Sequence, residues 1–281
     1  SERDRALAEP IAIKTRAQHG LAAPHAAWLA LQKRSSGGTT TIDVSLQEII
    51  EDEVATHAET LPTGADIAVV IIEIETAEIL ALVGSANPAD PIDGQNNGVL
   101  AKRSPGSALK PFLYAAAFEA RRLNADSTVS DRPIERAGWK PDNFDRTFRG
   151  AITVAEALRE SRNVPAIRVT EAIGLSRCLG LARSCGVRVP PGSDEAGGLA
   201  IAVGGVETTL LDLTNAYATI GREGVFREPK LFPETPSPQH RALSQLTSRT
   251  LTEILSTTHR RPSGQESTLP ESRPWFMWKT G

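Results

Sequence analysis

The sequence predicts an α+β fold in which a mostly helical block packs against an antiparallel β-sheet. Two β-rich apolar runs at residues 67–74 and 78–84 are separated by a short polar turn, which is typical of a β-hairpin. Their nearly continuous apolar content indicates strands that are buried on both faces. Helical periodicity dominates the middle of the chain, and a strand is expected to begin again at 275–279. Strands on both sides of a helical middle are typical of an α+β domain.

The order of elements follows from apolar spacing and turn residues. Residues 1–38 are Ala-rich, helical in tendency and weakly patterned, and they close on Ser35-Ser36-Gly37-Gly38, which favours a linker or the tail of a preceding domain. Residues 39–281 are then expected to form the main domain, beginning with an extended, β-branched segment at 39–43. The segments with helical periodicity lie at 46–60, 107–123, 153–160, 164–173, 176–185, 209–222 and 248–257.

The composition is that of a globular protein and excludes several functions. Of the 281 residues, 40% are hydrophobic and 23% charged, and the formal net charge is -3, so no nucleic-acid partner is expected. The histidines form no metal-binding pattern, and no glycine-rich nucleotide loop occurs. We therefore expect neither a metal nor another cofactor.

Cysteine usage and hydropathy indicate a compartment only weakly. Cys178 and Cys185 are seven residues apart in a predicted helix, too far for an unstrained bridge, and are expected to be buried thiols. No run of 18 apolar residues and no leader peptide is present. With its only Met at Met277, the sequence is expected to be a fragment of a longer protein, whose anchor would lie upstream.

The most informative segment is Arg103–Phe112. Pro105 and Gly106 favour the end of a loop, and an apolar helical pattern follows directly, which places Ser107 and Lys110 one turn apart on one helix face. A serine hydroxyl becomes a good nucleophile when a neighbour accepts its proton, and a buried lysine with a lowered pKa can do so. The helix N-terminus favours the negative charge that develops.

Two further motifs follow in order, Ser161-Arg162-Asn163 and Lys279-Thr280-Gly281. With Ser107-x-x-Lys110 they reproduce the Ser-x-x-Lys, Ser-x-Asn and Lys-Thr-Gly set of penicillin-recognising serine enzymes. Each motif also has a structural interpretation. Ser161 and Asn163 could cap the helix that begins near Val164, and Lys279 could be a solvated strand end.

Around these motifs, the chain resembles the transpeptidase domain of class A penicillin-binding proteins over nearly its whole length. The resemblance implies a penicillin-binding transpeptidase fold, which is also the β-lactamase-like fold. Besides the three motifs, the residues that carry it are Thr41-Ile42-Asp43 with Leu46-Gln47, residues 79–84, residues 103–107, Pro141, Asn143, Asp145, Phe148-Arg149-Gly150, Glu156-Ala157-Leu158, Gly204-Gly205-Val206 and Ala216-Tyr217-Ala218.

The resemblance implies acyl transfer with three catalytic residues. Ser107 attacks the carbonyl between the two terminal D-alanines of a peptidoglycan stem peptide, Lys110 takes its proton, and Ser161 relays a proton toward the departing D-alanine. A second stem peptide or water then resolves the acyl-enzyme, giving transpeptidation or carboxypeptidation. β-Lactam antibiotics are expected to be trapped on the same serine.

The resemblance also implies four substrate-binding residues. Asn163 is expected to hold the acyl-side amide, and Lys279 and Thr280, followed by Gly281, are expected to bind the terminal carboxylate. One oxyanion-hole amide of the family belongs to the nucleophilic serine. The other belongs to the residue two places after the final Gly of the third motif, which the sequence does not contain, so we expect a truncated domain.

Location and partners follow from the resemblance alone. The whole protein is expected at the extracytoplasmic face of a bacterial inner membrane, in the periplasm, held by a membrane anchor. Class A relatives carry a glycosyltransferase domain upstream, and cell-wall assembly proteins are expected partners.

Two alternatives remain open. A class A β-lactamase would need a Glu-x-x-Leu-Asn segment between the second and third motifs, and none occurs. A catalytically silent or sensor-type penicillin-binding module would carry the same motifs, so the sequence does not separate it from an enzyme. The turn at 75–78 lacks the Gly common in relatives, which we interpret as structural drift.

Overall fold

A β-hairpin forms at the predicted place in the computed structural model, which describes residues 23–136, 138–193, 197–256 and 276–281. Strand β1 (Val69–Ile72) pairs antiparallel with β2 (Ile79–Val83), with a register irregularity after Ile71. Both strands are shorter than their apolar runs. In the turn between them Ala77 is fully buried and has a φ of 61°. An alanine therefore adopts the left-handed conformation that glycine tolerates best.

The other described strands also form separate antiparallel pairs. Strand β3 (Thr128–Asp131) pairs with β4 (Gly150–Thr153), and β5 (Val225–Arg227) pairs with β6 (Gln239–Arg241). These four strands have three or four residues each, which is too short for a clear period-two pattern. Within the described residues the strands thus make three two-stranded sheets.

The helical middle of the chain is confirmed. Most predicted helices occur with ends shifted by one to three residues, which is the usual uncertainty of helix boundaries. The helices are α1 (Pro24–Lys33), α2 (Val44–Ala58), α3 (Lys110–Glu119), α4 (Val154–Arg159), α5 (Asn163–Ile173), α6 (Leu175–Ser184), α7 (Leu210–Gly221) and α8 (Gln245–Ser256).

The main core is built around α3. Eight consecutive residues of this helix, 110–117, are buried, so it is covered on every side. It contacts α5, α6 and α8, and Phe112, Leu113 and Tyr114 are fully excluded from solvent. A lysine, Lys110, therefore begins a helix that lies inside an apolar core.

A second core joins the hairpin to α1. Leu29 of α1 packs with Ile79 and Leu82 of β2 and with Phe232. This helix lies within the segment 1–38, for which a linker is predicted, and its described part packs against the domain. The boundary at residue 38 stays a prediction, and residues 1–22 lie outside the described residues.

The expected strand at 275–279 is not found where the structure describes the chain. Residues 276–281 have no regular secondary structure, although Trp278 N donates to Leu255 O at the end of α8. Trp275 lies outside the described residues. Within the described ranges, Trp278 is therefore bonded to the end of α8, and no strand pairs with residues 276–278.

The two cysteines are free and buried, as predicted: Cys178 lies in the first half of α6 and Cys185 is its C-cap. Burial raises the pKa of the Cys178 thiol to about 11 and that of Cys185 to about 12, so both stay protonated. No helix in the described part of the chain is long and apolar enough to cross a membrane.

Candidate active site

A tight turn carries Ser107. Gly106 has a φ of 52°, and a 3₁₀ turn over Gly106–Leu109 leads without a break into α3. The backbone N–H of Lys110 donates to Ser107 O. Ser107 is half-buried, so its hydroxyl lies at the surface of the core. The predicted helix start is thus a 3₁₀ turn followed by an α-helix.

Two distant segments support this turn. The Ser104 hydroxyl donates to Gly204 O over 2.6 Å, and the Tyr217 hydroxyl donates to Ala108 O over 2.8 Å. Gly204 has a φ of 100°, and a Cβ there would approach Gly106 Cα at 2.6 Å. Gly204 and Tyr217, which lie in segments that carry the family resemblance, therefore support the backbone on both sides of Ser107.

Lys110 is fully buried and its ammonium is held by the second motif. Its Nζ donates to the backbone oxygen of Ser161 and to Oδ1 of Asn163, both over 2.6 Å. Burial, and secondarily the positive charge of Lys279, lower the pKa of Lys110 to about 7. About half of the molecules then carry a neutral amine at this position near pH 7, which is what a general base requires.

Lys279 connects the third motif to the second. Its Nζ donates to Ser161 Oγ over 2.7 Å and to the backbone oxygen of Thr280 over 2.8 Å. Gly281 lies against the nucleophile turn, because a Cβ on Gly281 would lie 2.8 Å from Pro105 O. The three motifs therefore meet at one place.

The structural interpretations of the second and third motifs do not hold. The N-cap of α5 is Arg162, no side chain caps the helix from that position, and Asn163 is the first residue of the helix. Instead, the side chain of Asn163 contacts Lys110, and Ser161 adopts a left-handed φ of 57°. Lys279 contacts Ser161 and is not a solvated strand end.

A buried ion pair lies behind the second motif. Arg162 donates through Nε to Asp131 Oδ2 over 2.9 Å and through Nη1 to Asp145 Oδ2 over 2.7 Å. Asn143 accepts the backbone N–H of Asn163 over 2.8 Å. Asn143 and Asp145 were identified only as carriers of the resemblance. Asp131 has no sequence signal, since it ends a short strand without periodicity.

The described residues hold no group of three or more His, Cys, Asp or Glu side chains placed to bind a metal ion. The groups that meet at the site are hydroxyls, an amide, backbone oxygens and two lysines. The arrangement can therefore take up a proton at Lys110, present a hydroxyl at Ser161 and attract an anion at Lys279.

This combination of an α+β fold with a serine turn, a buried lysine and two converging motifs defines the penicillin-recognising serine enzymes. Within this class the chain belongs to the family of the penicillin binding protein transpeptidase domain, whose model matches residues 67–277. The resemblance inferred from the sequence is thereby confirmed.

Relatives of this family are 30–32% identical to the chain over the aligned residues. Penicillin-binding protein 1C of Escherichia coli (strain K12) is 30% identical over 274 residues, 97% of the chain and 35% of that protein. Penicillin-binding protein 1A of Rickettsia conorii is 32% identical over 172 residues, 58% of the chain and 20% of that protein. The chain thus spans about a third of the length of the Escherichia coli relative.

Solved structures agree on the fold. A peptidoglycan glycosyltransferase from Burkholderia ambifaria superposes with a TM-score of 0.67 and 20% identity, covering 78% of the chain and 73% of that structure. The transpeptidase domain of penicillin-binding protein 3 from Burkholderia pseudomallei gives a TM-score of 0.66 and 20% identity, covering 77% and 69%. At this identity the likeness establishes the α+β architecture.

Proposed function

We propose that the chain is a peptidoglycan D,D-transpeptidase domain that cross-links stem peptides through an acyl-enzyme on Ser107. One observation carries the proposal: Lys110, one helical turn after Ser107, is fully buried with its pKa lowered to about 7 and is fixed by Ser161 and Asn163. A lysine buried without a charged partner at hydrogen-bond distance is costly, and a catalytic base explains its presence.

In the first step the Ser107 hydroxyl attacks the carbonyl carbon between the two D-alanines. Its proton passes to neutral Lys110 as the ester bond forms. The peptide bond then breaks, and the departing D-alanine amine takes a proton through the hydroxyl of Ser161. The contact between Ser161 Oγ and Lys279 Nζ supports this role, because a nearby cation favours proton release from the hydroxyl.

Substrate binding is assigned to Asn163 and to residues 279–281. The Asn163 side chain accepts from Lys110 through Oδ1 and donates to Asp142 O through Nδ2 over 2.8 Å. An amide has two donor hydrogens and two acceptor lone pairs, so each end retains capacity for the substrate amide. Lys279 offers its charge, and Thr280 its exposed hydroxyl, to the terminal carboxylate.

Two fates are open to the acyl-enzyme. The amine of a second stem peptide gives a cross-link, and water gives a trimmed peptide. A β-lactam would acylate Ser107 in the same way but keep its leaving group tethered, so it would remain bound. Stem peptides and β-lactams are therefore the proposed ligands.

The same proposal places the whole protein at the periplasmic face of a bacterial inner membrane, anchored and working with cell-wall assembly proteins. The chain covers only 35% of the Escherichia coli relative, and this greater length of the relative supports an upstream glycosyltransferase domain in the whole protein.

The direct test is turnover of a stem pentapeptide ending in D-Ala-D-Ala by the full-length protein, with an acceptor amine present. We expect stoichiometric release of D-alanine and a cross-linked or trimmed peptide, and neither from Ser107→Ala. Penicillin labelling of Ser107 without D-alanine release would favour the sensor-type module. Rapid release of the penicilloyl group would favour a β-lactamase.

A further inference from the structure

The second motif rests on a buried polar network that the three motifs do not include. Arg162 is 3% exposed and Asp131 is fully buried, and the two are joined through Nε–Oδ2 and Nη2–Oδ2 contacts of 2.9 and 2.7 Å. Arg162 also donates to Thr147 O over 2.6 Å. A guanidinium whose Nε and Nη2 both contact one carboxylate oxygen, and which also donates to a backbone oxygen, is held in place. It fixes the backbone that carries it, which is the backbone between Ser161 and Asn163.

Asn143 completes the network from a different loop. Its Oδ1 accepts the backbone N–H groups of Asn163 and Val164 over 2.8 and 3.2 Å. Its Nδ2 donates to Asp131 Oδ1 over 2.7 Å and to Thr147 O over 2.8 Å. Asn143 is itself buried, and these four bonds use its full capacity. It therefore caps α5, whose own N-cap residue provides no side-chain cap.

The network explains an unfavourable backbone conformation. Ser161 has a φ of 57°, which costs a residue with a Cβ energy and persists only where the surroundings impose it. Arg162 fixes the chain directly after Ser161, and Asn143 fixes the amides that follow. In this conformation the backbone oxygen of Ser161 points at Lys110 Nζ, and its hydroxyl meets Lys279.

We propose that Asn143 and Asp131 are positioning residues for acylation of Ser107: they hold Ser161 and Asn163 against Lys110 without touching the substrate. This inference rests on the proposed function. The charged group that acts on Lys110 is Lys279 from the C-terminal segment. Arg162 is paired with Asp131 and Asp145 behind the second motif.

The network makes a prediction that a purely structural role does not. If Ser161 and Asn163 loosen, water reaches Lys110, and the loss of desolvation lets its pKa rise toward the ordinary value of 10.5. Less neutral amine is then present at a given pH. The acylation rate falls, and the midpoint of its pH profile moves upward.

The test compares Asn143→Ala with Asp43→Ala in the full-length protein. Asp43 caps α2 by accepting the N–H of Leu46 over 3.0 Å, and α2 packs on the hairpin, so its loss removes a helix cap away from Lys110. Acylation by benzylpenicillin is followed from pH 5.5 to 9.5 below the melting temperature of each variant. We expect Asn143→Ala to acylate at least about tenfold more slowly, with a raised midpoint. We expect Asp43→Ala to acylate as the wild type does.

A second variant keeps the inference testable if Asn143→Ala does not fold. Asn143→Asp keeps an oxygen for the two amides but loses the donor to Asp131, and its acylation is expected to be slowed with a raised midpoint. Wild-type labelling at Ser107 together with an unchanged rate and midpoint in a folded Asn143 variant would overturn this inference alone. Absence of labelling in the wild type would overturn the proposed function, and this inference with it.

Discussion

The Nζ of Lys279 lies 2.7 Å from Oγ of Ser161, a residue 118 positions earlier in the chain. The same ammonium is the charged group that adds to burial in lowering the pKa of Lys110. One cation of the third motif therefore acts on two groups of the site: the hydroxyl that it contacts and the amine whose charged form it disfavours. Removing it is expected to affect both.

The rate of acylation should follow the titration of Lys110. Only the neutral amine can accept the Ser107 proton, so the acylation rate constant is expected to rise with pH and level off above a midpoint near the Lys110 pKa of about 7.

In Lys279→Gln the positive charge that repels the Lys110 ammonium is lost. The midpoint should then move upward while the maximal rate falls, and most of the pKa depression should persist because burial is its larger cause. Stopped-flow acylation at several pH values measures both, and a midpoint that moves downward would contradict this assignment.

Stability should depend on pH through the same lysine. The pKa of Lys110 is about 7 in the folded protein, and the ordinary lysine value of 10.5 applies to the unfolded chain. Between pH 7 and 10.5 the unfolded chain therefore binds more protons than the folded protein. The free energy of unfolding should therefore rise with pH in this window, by up to about 1.4 kcal/mol per pH unit, and lose this slope below about pH 7. Lys110→Met lacks the titrating group and is the control. Urea unfolding of both proteins gives the difference, and equal pH slopes would show that Lys110 titrates normally.

Two tyrosines of the core should respond differently to loss of their hydroxyls. Tyr217 donates to Ala108 O beside the nucleophile, so Tyr217→Phe is expected to lower the free energy of unfolding by about 1 kcal/mol. The hydroxyl of Tyr114 is buried and has no hydrogen-bond partner among the described residues, so Tyr114→Phe should leave stability unchanged or increase it. Thermal and urea unfolding of the two variants tests this, and a larger loss in Tyr114→Phe would reverse the interpretation.

Two glycines with positive φ offer a test of the contact between Gly204 and the turn that carries Ser107. A Cβ at Gly204 would lie 2.6 Å from Gly106 Cα and 2.7 Å from Ser104 Oγ, whereas a Cβ at Gly192 would meet nothing within 4 Å. Both substitutions by alanine cost backbone strain of about 1 kcal/mol or more. Only Gly204→Ala should also displace the serine turn and slow acylation. Equal acylation rates in the two variants would show that the turn does not depend on this contact.

Much of the fold could be predicted because its elements carry their own periodicity. The hairpin and the amphipathic helices show spacing that depends on local sequence. The sequence does not predict the pairs β3–β4 and β5–β6, since strands of three or four residues are too short to carry such a signal. The Ala-rich composition indicates a helical tendency for the segment that contains α1. Short alanine side chains give a weak apolar pattern, so the sequence does not predict that this helix packs on β2.

The site could be predicted as a set of motifs but not as a geometry. The order of Ser107, Ser161 and Lys279 along the chain is a sequence property, whereas their meeting at one site was implied only by the family resemblance. The left-handed conformation of Ser161 depends on tertiary contacts with Asp131 and Asn143, which lie 31 and 20 residues from their partners Arg162 and Asn163. No local pattern reports contacts of that kind.

Intact-mass spectrometry after incubation with benzylpenicillin, followed by peptide mapping, shows whether Ser107 is the nucleophile. We expect a single penicilloyl adduct on the peptide that contains Ser107, complete loss of the adduct in Ser107→Ala, and much slower formation in Lys110→Ala. A retained adduct in folded Ser107→Ala, or an adduct mapped to another serine, would contradict the assignment.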